Sequence, residues 1–282
     1  MRILLTGATG KLGKCLGNYL TTMGYEVIPV DIRAHGAIIH ADLQNEVKVS
    51  QLIETHAPDL IIHLAAITDI GFCEQNKEKA HAVNFGITEI LVRLCQKFSI
   101  QIVYFSSDYV FGAKDLLWEV QDNPCPTTQY GKDKAACERI IQEHLVRYVI
   151  VRTAQLYGFS GDFVDMVRSH LTTGRNFMAF ANLVNCPTWT GDLFPMLVQI
   201  IEQKLYGIFH CVGPEALSRY QYACTIAEYF ALRPAFIQPV YLDFSKDIRP
   251  PIVRLGGLLT NRKLQIHPGR LKDNLAMHHA TF

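Results

Sequence analysis

The sequence predicts an α/β fold in which a doubly wound parallel β-sheet is followed by a smaller mixed domain. Up to about residue 153, short runs of β-branched and other apolar residues alternate with longer segments that carry apolar residues at helical spacing. Nearly continuous apolar runs are typical of parallel strands buried on both faces, with the helices as crossovers. After Arg152 the segments are less regular, and Gly and Pro are more frequent. The chain therefore divides into two regions, which we place at residues 1–159 and 160–282.

Six apolar runs are the predicted strands of the sheet: Ile3–Leu5, Val27–Val30, Ala37–Ile39, Leu60–Leu64, Ile102–Phe105 and Val149–Val151. The first helix carries apolar residues from Leu12 to Met23 and is predicted to stop at Gly24. The other predicted helices of this region cover about 45–56, 78–97 and 129–146. In the second region we predict strands at Phe177–Phe180 and Ile208–Val212 and helices at about 191–203 and 218–231, and some of these segments can return to the main sheet.

The composition excludes several functional classes. The chain has 27 basic and 26 acidic side chains, which gives no electrostatic signature of nucleic-acid or anionic-membrane binding. Its eight cysteines form no Cys-x-x-Cys pair, so they predict neither zinc ligands nor a disulfide framework. We find no apolar stretch long enough for a signal peptide or a membrane span. We therefore expect a cytoplasmic protein without a nucleic-acid or membrane partner.

Three glycines directly follow the first strand and open the first helix. Gly7, Gly10 and Gly13 allow a tight turn and a close backbone approach to a pyrophosphate, which would lie at the helix N-terminus. Asp31 ends the second strand, where a carboxylate can accept hydrogen bonds from ribose hydroxyls. This pattern predicts a Rossmann-type dinucleotide site, although a plain strand-to-helix turn has the same spacing. A P-loop is disfavoured, because Cys15 stands where that motif needs Ser or Thr.

A hydroxyl, a phenol and an ammonium are predicted to meet beside this site. Tyr130 and Lys134 are four residues apart at the start of a predicted helix, so they share one helix face. Ser107 follows the fifth predicted strand, at the sheet edge where open α/β sheets bind ligands. Such a group suits proton transfer if the cation stabilises the phenolate. The histidines predict no metal site, and His63 is predicted to be a core residue.

Further motifs occur in a fixed order along the chain. They are Asp42-Leu43, Leu64-Ala65-Ala66, Val83-Asn84, Arg152-Thr-x-x-Leu-Tyr157-Gly158, Ser106-Ser107-Asp108-Tyr109-Val110-Phe111, Cys186-Pro187-Thr188 before Asp192-Leu193, Gly207-Ile-Phe-His210 and Arg249-Pro250. With the glycine turn and the Tyr130/Lys134 pair, this set resembles the extended short-chain dehydrogenase/reductase superfamily. Within the superfamily the sequence looks like the dTDP-4-dehydrorhamnose reductase (RmlD-type) branch. The motifs span about 250 of the 282 residues.

The resemblance implies NAD(P)H-dependent reduction of the C4 keto group of a nucleotide-linked 4-keto-6-deoxy sugar, as in dTDP-rhamnose biosynthesis, by a homodimer without a metal ion. In this family Ser107 would hold the sugar carbonyl, Tyr130 would donate the proton, and Lys134 would bind the nicotinamide ribose and lower the pKa of Tyr130. The implied cofactor-binding residues are Gly7, Thr9, Gly10, Lys11, Leu12, Gly13, Asp31, Ile32, Arg33, Asp42, Leu43, Leu64, Ala65, Ala66, Asn84, Tyr130 and Lys134. The implied substrate-binding residues are Thr68, Ser107, Asp108, Gln155 and Arg249.

The same scaffold and motifs also occur in proteins with other functions. A nucleotide-sugar 4-epimerase or dehydratase uses the same scaffold, and a relative of the branch is a non-catalytic regulatory subunit of methionine adenosyltransferase. For the cofactor, Asp31 favours NAD(H) because its carboxylate would repel a 2′-phosphate, whereas Arg33 and Lys11 could bind that phosphate and allow NADP(H). We expect a modest preference for NADH.

Overall fold

The computed structural model describes residues 1–33, 35–112, 114 and 116–280, with the backbone alone for residues 278–280. The described strands are β1 (Arg2–Thr6), β2 (Glu26–Asp31), β3 (Ile39–His40), β4 (Leu60–His63), β5 (Gln101–Ser107), β6 (Leu117–Trp118), β7 (Tyr148–Thr153), β8 (Leu156–Tyr157), β9 (Phe177–Phe180), β10 (Val184–Asn185), β11 (Thr188–Trp189), β12 (Gly207–His210), β13 (Leu217–Ser218), β14 (Ile237–Val240) and β15 (Arg254–Leu255).

The helices connect these strands. They are α1 (Lys11–Thr22), α2 (Glu46–His56), α3 (Ile70–Gln75), α4 (Lys77–His81), α5 (Ile87–Phe98), α6 (Gln129–His144), α7 (Phe163–Thr172), α8 (Thr190–Glu202), α9 (Arg219–Tyr229), α10 (Leu258–Leu264) and α11 (Leu271–Ala280). The predicted helix 78–97 is α4 and α5 joined by a π-helical turn, Ala82–Gly86. The predicted stop at Gly24 is correct, since Gly24 has a φ of +83° just after α1. Within the described residues, no helix has both the length and the apolar character that a membrane crossing requires.

Among the described residues, seven strands form one sheet in the order β12-β7-β5-β4-β1-β2-β3. The β1–β2, β1–β4, β2–β3 and β4–β5 pairs are parallel. The chain adds strands on one side of β1 and then turns to the other side with β4, so the topological switch point lies between β1 and β4. The α/β, doubly wound fold class predicted from the sequence is confirmed.

Two details of the predicted sheet differ from the structure. The sheet has a seventh described strand, β12, which lies in the region that the sequence assigned to the second domain. Periodicity predicted a strand there but could not determine its partner, because strand pairing is decided by long-range packing. The predicted strand Ala37–Ile39 is the two-residue strand β3, Ile39–His40, which pairs with the end of β2.

The chain forms two compact units. The first comprises Met1–Val110, Thr128–Val151 and Leu205–Ile208, and the second comprises Phe111–Thr127, Arg152–Lys204 and the described chain from Phe209 onward. The core of the first unit contains Leu4, Ile61 and Ile102 of the sheet, packed in one cluster with the apolar face of α5. In the second unit, Tyr157 and Tyr222 lie in a cluster that includes residues of α7, α9 and α11.

Each unit buries a neutral histidine. Thr6 Oγ1 accepts the backbone N–H groups of Leu64 and Ala65, at 3.1 and 3.2 Å, so its own proton is directed to His63 Nδ1, 2.7 Å away. His63 Nε2 then donates to Thr88 Oγ1 at 3.2 Å. Burial, with a smaller effect from the Lys134 charge, lowers the pKa of His63 to about 3. The prediction that His63 is a core residue agrees with this arrangement.

His210 is the buried histidine of the second unit. Its Nδ1 lies 3.2 Å from the carbonyl oxygen of Gly256, and its Nε2 lies 3.3 Å from Arg152 Nη1. Because the guanidinium can only donate, Nε2 is the acceptor and the ring is neutral. Burial and the Arg152 charge lower the pKa of His210 to about 3.

We predict that both histidines make the fold sensitive to acid. An unfolded chain takes up a proton at each histidine near pH 6.5, whereas the folded chain does so near pH 3. The free energy of unfolding should therefore fall as the pH drops from about 6.5 towards 3, by about 1.4 kcal/mol per pH unit for each histidine. Urea unfolding at several pH values measures this slope, and His63→Gln should reduce it by about half. If His63→Gln showed the same slope as the wild type, the buried neutral state assigned to His63 would be wrong.

Candidate active site

The glycine turn between β1 and α1 is closely packed backbone. Gly7 has a φ of +70°, and a Cβ atom on it would lie 2.8 Å from the backbone nitrogen of Ala65. A Cβ on Gly13 would lie 2.2 Å from the carbonyl oxygen of Gly7. Gly10 caps α1 without a side-chain hydrogen bond, and the positive end of the helix dipole lies at this turn, where an anion is favoured. These contacts require glycine at positions 7 and 13.

A cavity of about 280 Å³ lies in the first unit at the ends of β1, β2 and β4. Its lining residues are Gly7, Gly10, Asp31, Ile32, Arg33, Ala41, Asp42, Leu43, Gln44, Leu64, Ala65, Ala66, Ile67, Val83 and Ile87. Apolar side chains form most of this wall, and Asp31 brings a carboxylate to it. This combination fits the adenosine half of a dinucleotide, with the pyrophosphate at the start of α1.

Asp31 is held by backbone hydrogen bonds. Its Oδ2 accepts the N–H of Thr9 and its Oδ1 accepts the N–H of Arg33, both at 3.0 Å. Burial raises the pKa of Asp31, but these hydrogen bonds and the Arg33 charge outweigh burial and lower it below its usual value. The Arg33 Nε atom lies 3.8 Å from Oδ1, and 75% of that side chain is exposed. The cavity therefore presents a buried negative charge beside an exposed positive one.

Asn84 supports the wall of the cavity from behind. The Asn84 side chain accepts the N–H of Ile67 at 2.7 Å and donates to the carbonyl oxygen of the same residue at 3.0 Å. Asn84 is 2% exposed and lies in the π-helical turn. The structure thus places Asn84 outside the lining, where it fixes the loop that follows β4.

Ser107 and Tyr130 come together in the first unit. Ser107 ends β5, and Tyr130 lies in the first turn of α6, which Thr128 caps by accepting the N–H of Gly131 at 3.0 Å. The Tyr130 hydroxyl hydrogen-bonds with the Ser107 side chain. Ser107 Oγ also donates to Asp108 Oδ1 at 2.9 Å. The hydroxyl of the neighbouring Ser106 is also buried, but it has no hydrogen-bond partner among the described residues. Of the two serines, it is therefore Ser107 that interacts with the Tyr130 phenol.

Lys134 lies one helical turn after Tyr130. Its Nζ donates to the carbonyl oxygen of Phe105 at 2.7 Å and lies over the rings of Tyr104 and Tyr130, 4.5 and 5.8 Å from their centroids. Burial lowers the pKa of Lys134 to about 8. A hydroxyl, a phenol and an ammonium therefore share one buried site, as the spacing predicted.

The pKa of Tyr130 is set by competing effects. Burial raises it, the nearby Asp108 carboxylate raises it further, and the hydrogen bond with Ser107 lowers it. The raised pKa keeps Tyr130 protonated at neutral pH, as is required of a proton donor.

A family model described as the RmlD substrate binding domain matches residues 1–266. The chain belongs to the RmlD family. The branch of the short-chain dehydrogenase/reductases that the motifs resembled is thereby confirmed.

Individual relatives are moderately similar to the chain. The dTDP-4-dehydrorhamnose reductase of Aggregatibacter actinomycetemcomitans is 31% identical over 234 residues, 80% of this chain and 78% of that protein. Methionine adenosyltransferase 2 subunit beta of Xenopus laevis is 29% identical over 253 residues, 85% of this chain and 75% of that subunit. A crystal structure of dTDP-4-dehydrorhamnose reductase from Bacillus anthracis in complex with NADP superposes with a TM-score of 0.90 at 26% identity, covering 100% of this chain and 98% of that one.

Not all predicted residues lie at the cavity or at the buried site. Thr9, Lys11, Leu12 and Gly13 belong to the turn and α1 rather than to the lining. Thr68 is exposed in the loop after β4.

Two predicted substrate residues, Gln155 and Arg249, belong to the second unit. Gln155 has a φ of +41° and accepts the N–H of Thr188 through its carbonyl oxygen. Arg249 forms a bidentate ion pair with Asp247, through Nη2 at 2.5 Å and Nε at 2.9 Å.

Sequence reasoning missed three residues that hold the site. Thr6 fixes the backbone after β4, Tyr104 presents its ring to Lys134, and Thr128 caps the helix that carries Tyr130. Thr128 alone had a local signal, because Thr directly before a helical pattern is a typical N-cap. The other two act across distant parts of the chain.

We predict that Gly13→Ala disrupts the glycine turn of this RmlD-family chain. The new Cβ would clash with Gly7 backbone, so the turn must open, at a cost of about 1–3 kcal/mol in unfolding free energy and with a marked loss of dinucleotide affinity. Gly86→Ala is the matched control, because a Cβ there meets nothing within 4 Å. Urea unfolding and fluorescence titration with NADPH measure both effects. Wild-type affinity in Gly13→Ala would refute the proposed pyrophosphate site.

Proposed function

We propose that the chain is an NAD(P)H-dependent oxidoreductase that reduces the C4 keto group of a nucleotide-linked 4-keto-6-deoxy sugar. The observation that carries the proposal is the buried group of Ser107, Tyr130 and Lys134 in the unit that also has the glycine turn and the apolar cavity. Membership of the RmlD family supports it. Relatives named dTDP-4-dehydrorhamnose reductase support the substrate class.

In the proposed mechanism, Tyr130 is the general acid. Its high pKa keeps the phenol protonated until charge develops on the C4 oxygen of the sugar. Ser107 orients that oxygen and donates a hydrogen bond to it, for which its hydroxyl must turn away from Asp108. Lys134 lies close to the Tyr130 ring, so its ammonium stabilises the phenolate that remains. Reduced nicotinamide, when bound, supplies the hydride.

The residues that would hold the cofactor are those of the turn and the cavity. The N–H groups at the start of α1 would bind the pyrophosphate, and Leu43, Ala65 and Val83 would flank the adenine. Asp31 would accept hydrogen bonds from the ribose hydroxyls. Arg33, which lies beside Asp31, is the cation that would bind a 2′-phosphate. Lys134 would contact the nicotinamide ribose.

We further propose a division of binding roles along the chain. We assign dinucleotide binding to residues 1–159 and binding of the nucleotide-diphosphate sugar to residues 160–282. Thr68, Asp108, Gln155 and Arg249 are the proposed substrate contacts beside Ser107. We also propose that the protein is a cytoplasmic homodimer.

One other function has specific support. The similarity to methionine adenosyltransferase 2 subunit beta favours a regulatory subunit as the second candidate. Such a subunit would bind the dinucleotide without turnover.

The decisive experiment is NADH and NADPH oxidation with a panel of dTDP-, GDP-, UDP- and CDP-linked 4-keto-6-deoxy sugars. Stoichiometric oxidation with one of them supports the reductase, and cofactor binding without oxidation supports the regulatory subunit.

We predict that Tyr130→Phe loses at least about 10²-fold in turnover, because it removes the proton donor and keeps the ring. Dissociation constants for the cofactor should stay close to the wild-type values. Steady-state kinetics with the accepted sugar and fluorescence titration of the cofactor separate the two effects. Near-normal turnover in this variant would exclude Tyr130 as the acid.

We predict a modest wild-type preference for NADH that Asp31→Asn shifts towards NADPH. The substitution removes the negative charge that repels a 2′-phosphate, while Arg33 remains in place to bind that phosphate. Hydrogen bonds to charged groups contribute about 1.5–3 kcal/mol, so the ratio of the two kcat/KM values should change about tenfold or more. An unchanged ratio, or a strong NADPH preference of the wild type, would show that Asp31 does not contact the ribose.

A further inference from the structure

The first turn of α6 takes one of its hydrogen-bond acceptors from a distant helix. The N–H groups at the start of a helix have no partners within the helix. In α6, Thr128 accepts the N–H of Gly131 at 3.0 Å. The N–H of Gln129, the first residue of the helix, is accepted by Glu74 Oε1 of α3, 55 residues away in the chain. Glu74 therefore holds the backbone directly before Tyr130.

The Glu74 carboxylate is itself held in place. Its other oxygen, Oε2, lies 3.8 Å from Lys77 Nζ, and the side chain is 25% exposed. The helix α3 that carries it is capped by Asp69, which accepts the N–H of Phe72 at 2.7 Å. A carboxylate is also favoured at the positive end of the α6 dipole. The position of the acceptor is thus determined by α3 and not by α6.

Residues of α3 and α4 also surround the Tyr130 ring. Cys73 of α3 and Ala80 of α4 are fully buried and belong to one apolar cluster with Tyr130. The partly buried Ile70 packs against the same cluster. Because Cys73 directly precedes Glu74, α3 fixes both the backbone before Tyr130 and the apolar surroundings of its ring.

A second contact joins α4 to the following turn of α6. His81 Nδ1 donates to Asp133 Oδ1 at 2.8 Å, and Gln129 Nε2 donates to the same oxygen at 2.9 Å. Both nitrogens are donors, because an ionised carboxylate can only accept. This contact reaches α6 through a side chain that follows Tyr130, whereas Glu74 binds the backbone that precedes it. The second contact therefore does not replace the first.

Lys134 is anchored from a different element. Its Nζ donates to the carbonyl oxygen of Phe105 in β5 at 2.7 Å, so its position depends on the central sheet and not on α3. A change at Glu74 should therefore disturb Tyr130 and leave the Lys134 ammonium in place.

We propose that Glu74 is a positioning residue of the reductase, which fixes the first turn of α6 and thereby directs the Tyr130 hydroxyl at the C4 oxygen of the sugar. This inference rests on the proposed function of Tyr130. Glu74 does not contact the reacting atoms, and it acts through Tyr130 alone. Its effect falls on proton transfer and not on cofactor binding, since Lys134 is held separately.

Two substitutions of Glu74 test this role. Glu74→Ala removes the acceptor, whereas Glu74→Gln keeps an amide oxygen that can accept the same N–H. In Glu74→Ala we expect kcat with the accepted 4-ketosugar to fall about tenfold or more, because a small displacement of a reacting group can cost about 10²-fold. The NADPH dissociation constant should stay at the wild-type value. Glu74→Gln should recover most of the turnover, and a loss as large as that of Glu74→Ala would overturn the proposal.

A double variant separates positioning from a general loss of stability. Because Glu74 acts through the Tyr130 hydroxyl, Glu74→Ala/Tyr130→Phe should have the kcat of Tyr130→Phe alone. A further fall equal to that of Glu74→Ala on its own would overturn the proposal. Glu78→Ala is the matched control, since it removes an exposed carboxylate from the first turn of α4 and should keep the wild-type kcat. An equal loss in Glu78→Ala would also overturn it.

The donor side of the hydrogen bond provides a second route if Glu74→Ala fails to fold. Gln129→Pro removes the N–H at the first helical position, where proline is tolerated, and Thr128 already has the extended backbone that proline requires before it. Gln129→Ala removes the same side chain and keeps the N–H. We expect a larger loss of kcat in Gln129→Pro than in Gln129→Ala, and equal values would overturn the proposal.

Amide hydrogen exchange of the full chain, followed by mass spectrometry, tests the contact without a sugar. Glu74→Ala should accelerate exchange in peptides that cover residues 128–132, and Glu78→Ala should not. Faster exchange there without cofactor oxidation by any 4-ketosugar would support the positioning of Tyr130 by Glu74 and contradict the reductase. Oxidation by the wild type, with unchanged kcat and exchange in Glu74→Ala, would support the reductase and overturn this inference.

Discussion

The hydroxyl of Thr6 joins the two strands on either side of the topological switch point. It accepts two N–H groups of the backbone that leaves β4 and donates to His63, which continues the network to Thr88 of α5. The loop after β4 therefore lies against Gly7, close enough that only glycine fits there. The cavity wall, the glycine turn between β1 and α1 and the orientation of the His63 ring all depend on this one side chain.

Buried charge is the second constraint. The first unit places Lys134 and the carboxylates of Asp108, Asp133 and Glu138 out of water, where each interaction is stronger than at the surface. The carboxylates act on different groups. Asp108 opposes ionisation of Tyr130, so the phenol keeps its proton, whereas Asp133 and Glu138 favour the ammonium of Lys134. One buried site thus maintains an acid and a cation side by side at neutral pH.

Polar side chains of the second unit stabilise its own fold. Its hydrogen bonds serve mainly to fix its own backbone, as with Arg249 and Asp247 or His210 and Gly256. Gln155 adopts a left-handed backbone conformation that L-residues rarely take, which marks its position as structurally constrained.

The sequence by itself determined the features that depend on neighbouring residues. Apolar periodicity predicted the strands and helices, the glycine spacing predicted the turn, and four-residue spacing placed Tyr130 and Lys134 on one helix face. Tertiary structure alone decided the rest. It added β12 to the sheet, joined Lys134 to Phe105 across 29 residues and joined His81 to Asp133 across 52. Local sterics and helix geometry act within a few residues and leave a pattern in the sequence, whereas partners brought together by packing leave none.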